Sequence, residues 1–310
     1  MDLPFDEPET LVSCVLVVDD EPTVRDVFTR LLSREPELSV QTADSAESAM
    51  FLLRSQRFDL LITDKNLPAM NGIELIVEAR KLRPHIEAIM ITGYASAESV
   101  IAAFAAGASD YVVKPFDQIR VVRAKILAAL DRRKERAKIG AESHQIALEA
   151  SGLLAEGKTV AAPSWVLLDQ HLNAYELAIR AGASGVVRVV GSELALSQLQ
   201  TEGIEARLAE PNDLQLGLVD VVVIDTQLKQ WRELVERLGP LKPDVLLTAG
   251  SNPDLGELLE AIALKVDLVG LNFPGHLSAK VRALLMRQSV LQAKKSLAAA
   301  LAAFRDDLGK

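Results

Sequence analysis

The chain has 310 residues, 49% hydrophobic and 25% charged, which is enough apolar sequence for two ordinary cores and too much for a disordered polypeptide. Its 34 basic and 43 acidic side chains give a net charge of -9, a field that repels nucleic acid except at a local basic patch. One cysteine, Cys14, excludes an internal disulfide framework, no apolar run approaches the ~18 residues of a membrane span, and the opening "MDLPFDEPET" is acidic where a secretion signal is basic, so a cytoplasmic protein is expected.

Residues 1–11 read as a flexible acidic tail. "CVLVV" (14–18) predicts a buried strand, and in the following "PTVRDVFTRLLS" Val24, Val27, Phe28, Leu31 and Leu32 keep the spacing of a helix with one buried stripe. "LSVQTA" predicts a second strand and "SAESAMFLLRSQ" a helix capped by Ser45. "DLLIT", "EAIMIT" and "DYVVK" predict three further strands, with helices starting near Asn71, Ser96 and Asp117. Strands alternating with helices in this way predict an α/β domain over 12–137, with a doubly wound parallel sheet covered on both faces. Its last helix runs on from residue 117, and the charge run "DRRKERAK" within it reads as a solvated face. After the break "EGKTVAAPS", "WVLLDQHLNAYELAIRAGAS" predicts another helix, so 138–184 reads as a helical linker.

Ligands of parallel sheets bind at the carboxyl ends of the strands. Asp19 and Asp20 close the first strand and Asp64 closes the third, and in a 2-1-3-4-5 sheet those strands are neighbours. Crowded carboxylates repel, and a hard divalent cation relieves them; Mg2+ suits two or three carboxylates plus a backbone carbonyl, for which Asn66 is well placed. Thr92 and Lys114 close the next two strands, and with a metal they would cradle a transferred phosphoryl group whose acceptor is Asp64. Gly93 keeps the wall beside Thr92 low, Gly72 is a further structural glycine, and Pro115 stands where a cis bond would aim the lysine. Taken singly, Asp19 and Asp20 read equally well as helix caps ahead of Pro22.

"VLVVDDE", "ITDKNLPAMNG", "MITG" and "YVVKPF" resemble, in order and spacing, the receiver domain of two-component response regulators, across 12–137. The resemblance implies a flavodoxin-like (βα)5 fold and phosphotransfer from a histidine kinase to Asp64. It further implies that Asp19 and Asp20 hold magnesium, that Thr92 and Lys114 contact the phosphoryl group, and that Tyr111 moves with Thr92 as a switch reshaping one face of the domain. No enzymatic activity is expected beyond phosphorylation and dephosphorylation of the chain's own aspartate.

The second half repeats the pattern. "VRVVGSE" (187–193) aligns with "VLVVDDE" and puts Gly191 and Ser192 where two acids stood; "VDVVVIDTQL" (219–228) aligns with "FDLLITDKNL" and keeps Asp225. "VLLT" (245–248) matches "IMIT", while "DLVGLNFPG" (267–275) takes the place of "DYVVKPF" without a lysine. This predicts a second flavodoxin-like domain over 185–287, a pseudo-receiver retained for its surfaces. Beyond it, in the C-terminal helix 288–310, Leu297, Leu301, Phe304 and Leu308 form a narrow stripe that offers a seam to a partner or to a second copy in a homodimer. His144 lies in a helix but is followed by Gln145 instead of an acid, and His85, His171 and His276 lack partners at metal-ligand spacing. No helix-turn-helix segment is legible after the first domain, so output is expected through protein contacts and not nucleic acid. Two classes stay open: an adaptor whose surface is switched by phosphorylation, and a relay that passes phosphate from Asp64 to a histidine phosphotransfer protein.

Overall fold

A computed structural model of the chain describes residues 12–155, 162–180, 185–212, 214, 221–239, 244–250, 253–264, 266–272 and 275–308; the acidic tail lies outside them. The first half runs β1 (Ser13–Val18), α1 (Pro22–Leu32), β2 (Leu38–Ala43), α2 (Ala46–Ser55), β3 (Leu60–Asp64), α3 (Gly72–Leu82), β4 (Glu87–Thr92), α4 (Ala97–Ala105), β5 (Asp110–Val113) and α5 (Ile119–Ala155). The second runs α6 (Ala162–Arg180), β6 (Val187–Val190), α7 (Glu193–Thr201), β7 (Ala206–Leu208), β8 (Val221–Asp225), α8 (Trp231–Leu238), β9 (Asp244–Ala249), α9 (Leu255–Ala263), β10 (Asp267–Gly270) and α10 (His276–Leu308).

The first sheet has the order β2-β1-β3-β4-β5 with every pair parallel, so the ends of β1 and β3 stand side by side. β3 and β4 are buried along their whole length, as strands covered on both faces must be. On one face Val15, Val17, Ile62, Ile89 and Ile91 pack with Phe28 and Leu32 of α1 and with Val122, Ile126 and Ala129 of α5. Burial of each large apolar side chain stabilises by roughly 1.5–3 kcal/mol. The stripe on α1 is narrower than its sequence suggests: Val24, Phe28 and Leu32 are buried, while Val27 is 39% exposed. Side chains of Ser45, Asn71 and Ser96 cap α2, α3 and α4 by accepting backbone N–H bonds. The residue that caps α1 is Glu21, so neither Asp19 nor Asp20 is spent as that helix's cap.

The charge run of α5 is only partly a solvated face: Asp131, Glu135, Arg136 and Lys138 are exposed, while Arg132, Arg133 and Lys134 are half-buried. The sheet carries a carboxylate at the start of each of three neighbouring strands, Asp59, Glu87 and Asp110, all buried. Arg133 meets Asp59 at 2.7 Å, Arg132 meets Glu87 at 3.8 Å, Arg136 also pairs with Glu87, and Lys125 pairs with Asp110. These contacts seat α5 across the amino edge of the sheet, opposite the edge where a ligand would bind.

The second sheet, β10-β9-β8-β6-β7, has the same strand order as the first when its strands are counted in chain order. It repeats the anchoring device too, since Asp244 at the start of β9 meets Arg287 at 3.3 Å and Gln288 at 2.9 Å on α10. By contact the chain divides into two units, one reaching to Ala137 and including Ala249–Gly270, the other holding Lys138–Thr248 and Leu271 onward. Within the first unit α4 packs against β10 and α9. That packing accounts for a helix largely apolar beyond its first turn, with Val100, Ile101 and Ala103 buried and Ala102, Phe104 and Ala105 half-buried.

Within the second unit the end of α5, α6 and α10 share a core of Ala150, Leu168, Leu172, Tyr175, Leu297, Leu301 and Phe304. The stripe expected to form a seam for a partner is therefore covered by the chain's own α6 at Leu297, Leu301 and Phe304; the side chain of Leu308 lies outside the described residues. Helix α10 also runs unbroken through residue 287, where the sequence suggested an edge. Among the described residues no helix is long and apolar enough to cross a membrane.

Candidate functional site

Four strand ends build one polar cluster at the carboxyl edge of the first sheet. Lys114, just past β5, places its ammonium 2.9 Å from Asp19 Oδ2, 2.9 Å from Asp64 Oδ1 and 3.0 Å from Glu21 Oε1. Asp19 is fully buried and Asp64 is 4% exposed, so two carboxylates share one cation away from water. Asp20 points outward and is exposed. Backbone N–H groups hold the acids from behind: Glu21 donates to Asp19 Oδ1 at 2.9 Å, and Asn66 donates to Asp64 Oδ2 at 2.5 Å. Arg25 of α1 donates to the carbonyls of Asp19 at 2.5 Å and Asp20 at 3.0 Å and fixes the turn that carries them.

The charges respond to this crowding. Burial pushes the Asp19 carboxyl above its ordinary range; Lys114 and the Glu21 N–H oppose that rise, while the charge of Asp64 adds to it. Burial works against the charge on Lys114 as well, but its contacts with Asp64, Asp19 and Glu21 outweigh burial and hold its pKa above the ordinary lysine range.

The loop after β3 is fixed by close approach. A Cβ at Gly72 would lie 2.0 Å from the Asp64 carbonyl oxygen, so at this position α3 can start only with glycine. The Gly72 N–H donates to the Lys65 carbonyl at 2.9 Å, and Asn71 and Glu74 close a capping box around the start of the helix. A Cβ at Gly93 would meet nothing within 4 Å, so packing places no demand for glycine there. The Lys114–Pro115 peptide is cis.

Thr92 and Tyr111 complete the edge. Asp64 pairs with Ile91 across the ladder, so Thr92 stands one residue beyond it on the neighbouring strand; Thr92 is fully buried, and its hydroxyl accepts the Tyr94 N–H at 3.2 Å. Tyr111 is 2% exposed, and its hydroxyl lies 2.9 Å from that of Ser99 on α4. Burial raises the Tyr111 pKa, the bond to Ser99 opposes the rise, and the charge of Asp64 adds to it, so the tyrosine lies within the field of the aspartate. Asp19, Asp64 and Lys114 thus meet directly, the Asn66 backbone touches Asp64, Thr92 and Tyr111 line adjacent strands, and Asp20 stands at the rim. Sequence reasoning missed Glu21, Arg25 and Ser99. Glu21 had a signal, as a third acid beside two site acids, whereas Arg25 and Ser99 read as ordinary helix residues.

A hard cation suits this donor set. Asp19 Oδ2 is buried and faces the Lys114 ammonium at 2.9 Å. Among the described residues no three acidic, histidine or cysteine side chains stand together as a ready metal cage, because Lys114 lies between Asp19 and Asp64 and Asp20 turns outward. Two carboxylates and a carbonyl suffice for Mg2+, which retains several waters.

The corresponding edge of the second sheet differs. Asp225 is 4% exposed and accepts the Gln227 N–H at 2.9 Å, as Asp64 accepts that of Asn66. Thr248 Oγ1 lies 3.4 Å from Asp225 Oδ2, and among the described residues no cation pairs with that carboxylate. Ser192 caps α7. Gly191 has φ +83°, and a Cβ there would meet Leu228 Cβ at 3.4 Å.

Comparison with known proteins agrees with the first sheet. The response regulator receiver domain family matches residues 15–126. The chain is 37% identical over 120 residues to the chemotaxis protein CheY of Pseudomonas aeruginosa, covering 96% of that protein and 38% of this chain. It is 35% identical over 147 residues to the alginate biosynthesis transcriptional regulatory protein AlgB of Pseudomonas putida, spanning 33% of that relative and 44% of this chain. Among solved structures, a response regulator receiver domain protein from Methanospirillum hungatei JF-1 aligns over 98% of its own length and 40% of this chain, at 34% identity and a TM-score of 0.39. The chain belongs to the response regulator receiver domain family. It is a protein of two-component signalling.

Proposed function

We propose that the chain is a response regulator switched by phosphorylation of Asp64, with output through protein contacts. The observation that carries this reading is the single ammonium of Lys114 set 2.9 Å from both Asp19 and Asp64, on the buried edge of a parallel sheet. An Asp64 oxygen attacks the phosphorus of a phosphohistidine on a histidine kinase; the P–N bond breaks, and its electron pair returns to the imidazole, which takes up a proton. Lys114 offsets charge on the transferred oxygens, and Asn66 N–H fixes the second carboxylate oxygen of Asp64. Asp19, Asp64 and the Asn66 carbonyl, with Asp20 from the rim, would hold magnesium, which when bound would supply further positive charge. Thr92 follows the new charge, and Tyr111 follows Thr92, in a population shift between two packings.

The second sheet acts as a pseudo-receiver: strand order and the buried acid persist, while Gly191 and Ser192 replace the metal acids. The chain functions in the cytoplasm as an adaptor without DNA-binding or catalytic output of its own. Acetyl phosphate with Mg2+ is expected to label wild-type protein and not Asp64→Asn, read by phosphate-affinity gel. Equal labelling of the variant overturns the assignment. Stable retention of label in the presence of histidine phosphotransfer proteins supports the adaptor over the relay.

A further inference from the structure

Ser99 sits in the first turn of α4, 5% exposed, and its hydroxyl oxygen meets three polar groups. The Ser96 N–H lies 3.0 Å from Ser99 Oγ, the Ser96 carbonyl oxygen lies 2.9 Å from it, and Tyr111 Oη lies 2.9 Å from it. A hydroxyl has one hydrogen and two lone pairs. The amide can only donate, so one lone pair of Ser99 takes the Ser96 N–H. The Ser96 carbonyl also accepts the Val100 N–H at 3.0 Å. Ser99 and Tyr111 share one hydrogen bond in which either hydroxyl can serve as donor, and it ties the tyrosine to the helix cap.

Tyr111 has no exposure to spare, at 2%, and Ser99 is the hydrogen-bond partner of its hydroxyl among the described residues. We propose that Ser99 is a positioning residue that latches Tyr111 inward in the resting protein, tying β5 to the first turn of α4 through one serine hydroxyl. This rests on the receiver reading and adds a bias to its switch: the tyrosine already occupies the buried packing before Asp64 is modified, so phosphorylation has a smaller gap to close. Without the serine hydroxyl, the buried phenol loses its hydrogen-bond partner, and the ring turns outward to reach water.

The full chain contains three tyrosines, Tyr94, Tyr111 and Tyr175, so uniform 3-fluorotyrosine labelling gives three fluorine resonances that Tyr→Phe variants assign. Paramagnetic relaxation by a soluble nitroxide then reports exposure of the Tyr111 ring, without magnesium or phosphodonor. Ser99→Ala is expected to raise the outward population roughly ten-fold, the effect of stranding one buried hydroxyl. Ser99→Thr, which keeps the oxygen, restores protection, and Ser96→Ala, which loosens the helix cap alone, leaves Tyr111 protected. Unchanged relaxation in Ser99→Ala overturns the latch, as does failure of Ser99→Thr to restore it or equal exposure in Ser96→Ala. The measurement does not depend on phosphoryl transfer, so a failure of the receiver reading would appear separately, as an Asp64 that takes no label.

Discussion

Lys114 is the residue on which the charge balance of the site turns. It is the cation of two buried acids, and its removal would leave Asp19 and Asp64 facing one another without compensation. Lys114→Met is expected to lower stability at pH 7 by about 2–4 kcal/mol, short of the full cost of a stranded buried pair because the lysine keeps some contact with water. Because the lysine pKa is raised, its contribution is complete below the ordinary value of 10.5 and disappears as pH climbs through the folded-state value. Wild type should therefore shed more stability above pH 10.5 in thermal melts than Lys114→Met does. Asp19 has the same sign at lower pH: its raised pKa means that the fold favours the protonated carboxyl, so its contribution is complete below the ordinary value of 3.8 and is lost as pH climbs through the folded-state value. Magnesium should raise the melting temperature of Lys114→Met more than that of wild type, since no ammonium competes for the same oxygens. Asp64 and Lys114 were legible in the sequence only jointly, through strand ends that converge on one edge and match the receiver pattern; alone, Lys114 reads as a surface lysine. Ser99 was not, because its role exists only once β5 lies beside α4.

At the scale of elements, the junction between β3 and α3 is the tightest point of the site. Gly72→Ala forces a Cβ into the Asp64 carbonyl, so the strand end that carries the acceptor must shift. The expected outcome is a loss of about 1–3 kcal/mol in denaturant unfolding together with slower labelling by acetyl phosphate. Normal labelling rates in a folded Gly72→Ala protein would show that the junction tolerates the shift. The helices and strands themselves were readable from periodicity, down to the caps Ser45, Asn71 and Ser96. The charge run of α5 was only half legible, because mixed charge on a helix signals its exposed side and not the acids that its other side faces. Those acids, Asp59, Glu87 and Asp110, come from three separate strands, and no local pattern links them to Arg133, Arg136 and Lys125.

At the scale of the whole chain, one architecture occurs twice with different chemistry. Both sheets have one strand order, both place a buried acid at the end of the corresponding strand, and both seat a long final helix on a carboxylate at the start of β4 or β9. Mass spectrometry of acetyl-phosphate-treated protein is expected to find the phosphoryl group on Asp64 alone, with Asp225→Asn indistinguishable from wild type in total label; label on Asp225 would contradict the division of labour. The repeat was legible in the sequence through its strands, whereas the left-handed turn at Gly191 beside Leu228 was not, since it exists only once β6 and β8 are neighbours. That turn bears on any attempt to place an acid at the end of β6. An aspartate at Gly191 would inherit a left-handed backbone suited to glycine while its Cβ made ordinary contact with Leu228, so the strain of an acid there would come from the main chain. An acid is thus opposed at that turn by the path of the backbone itself, whatever its neighbours.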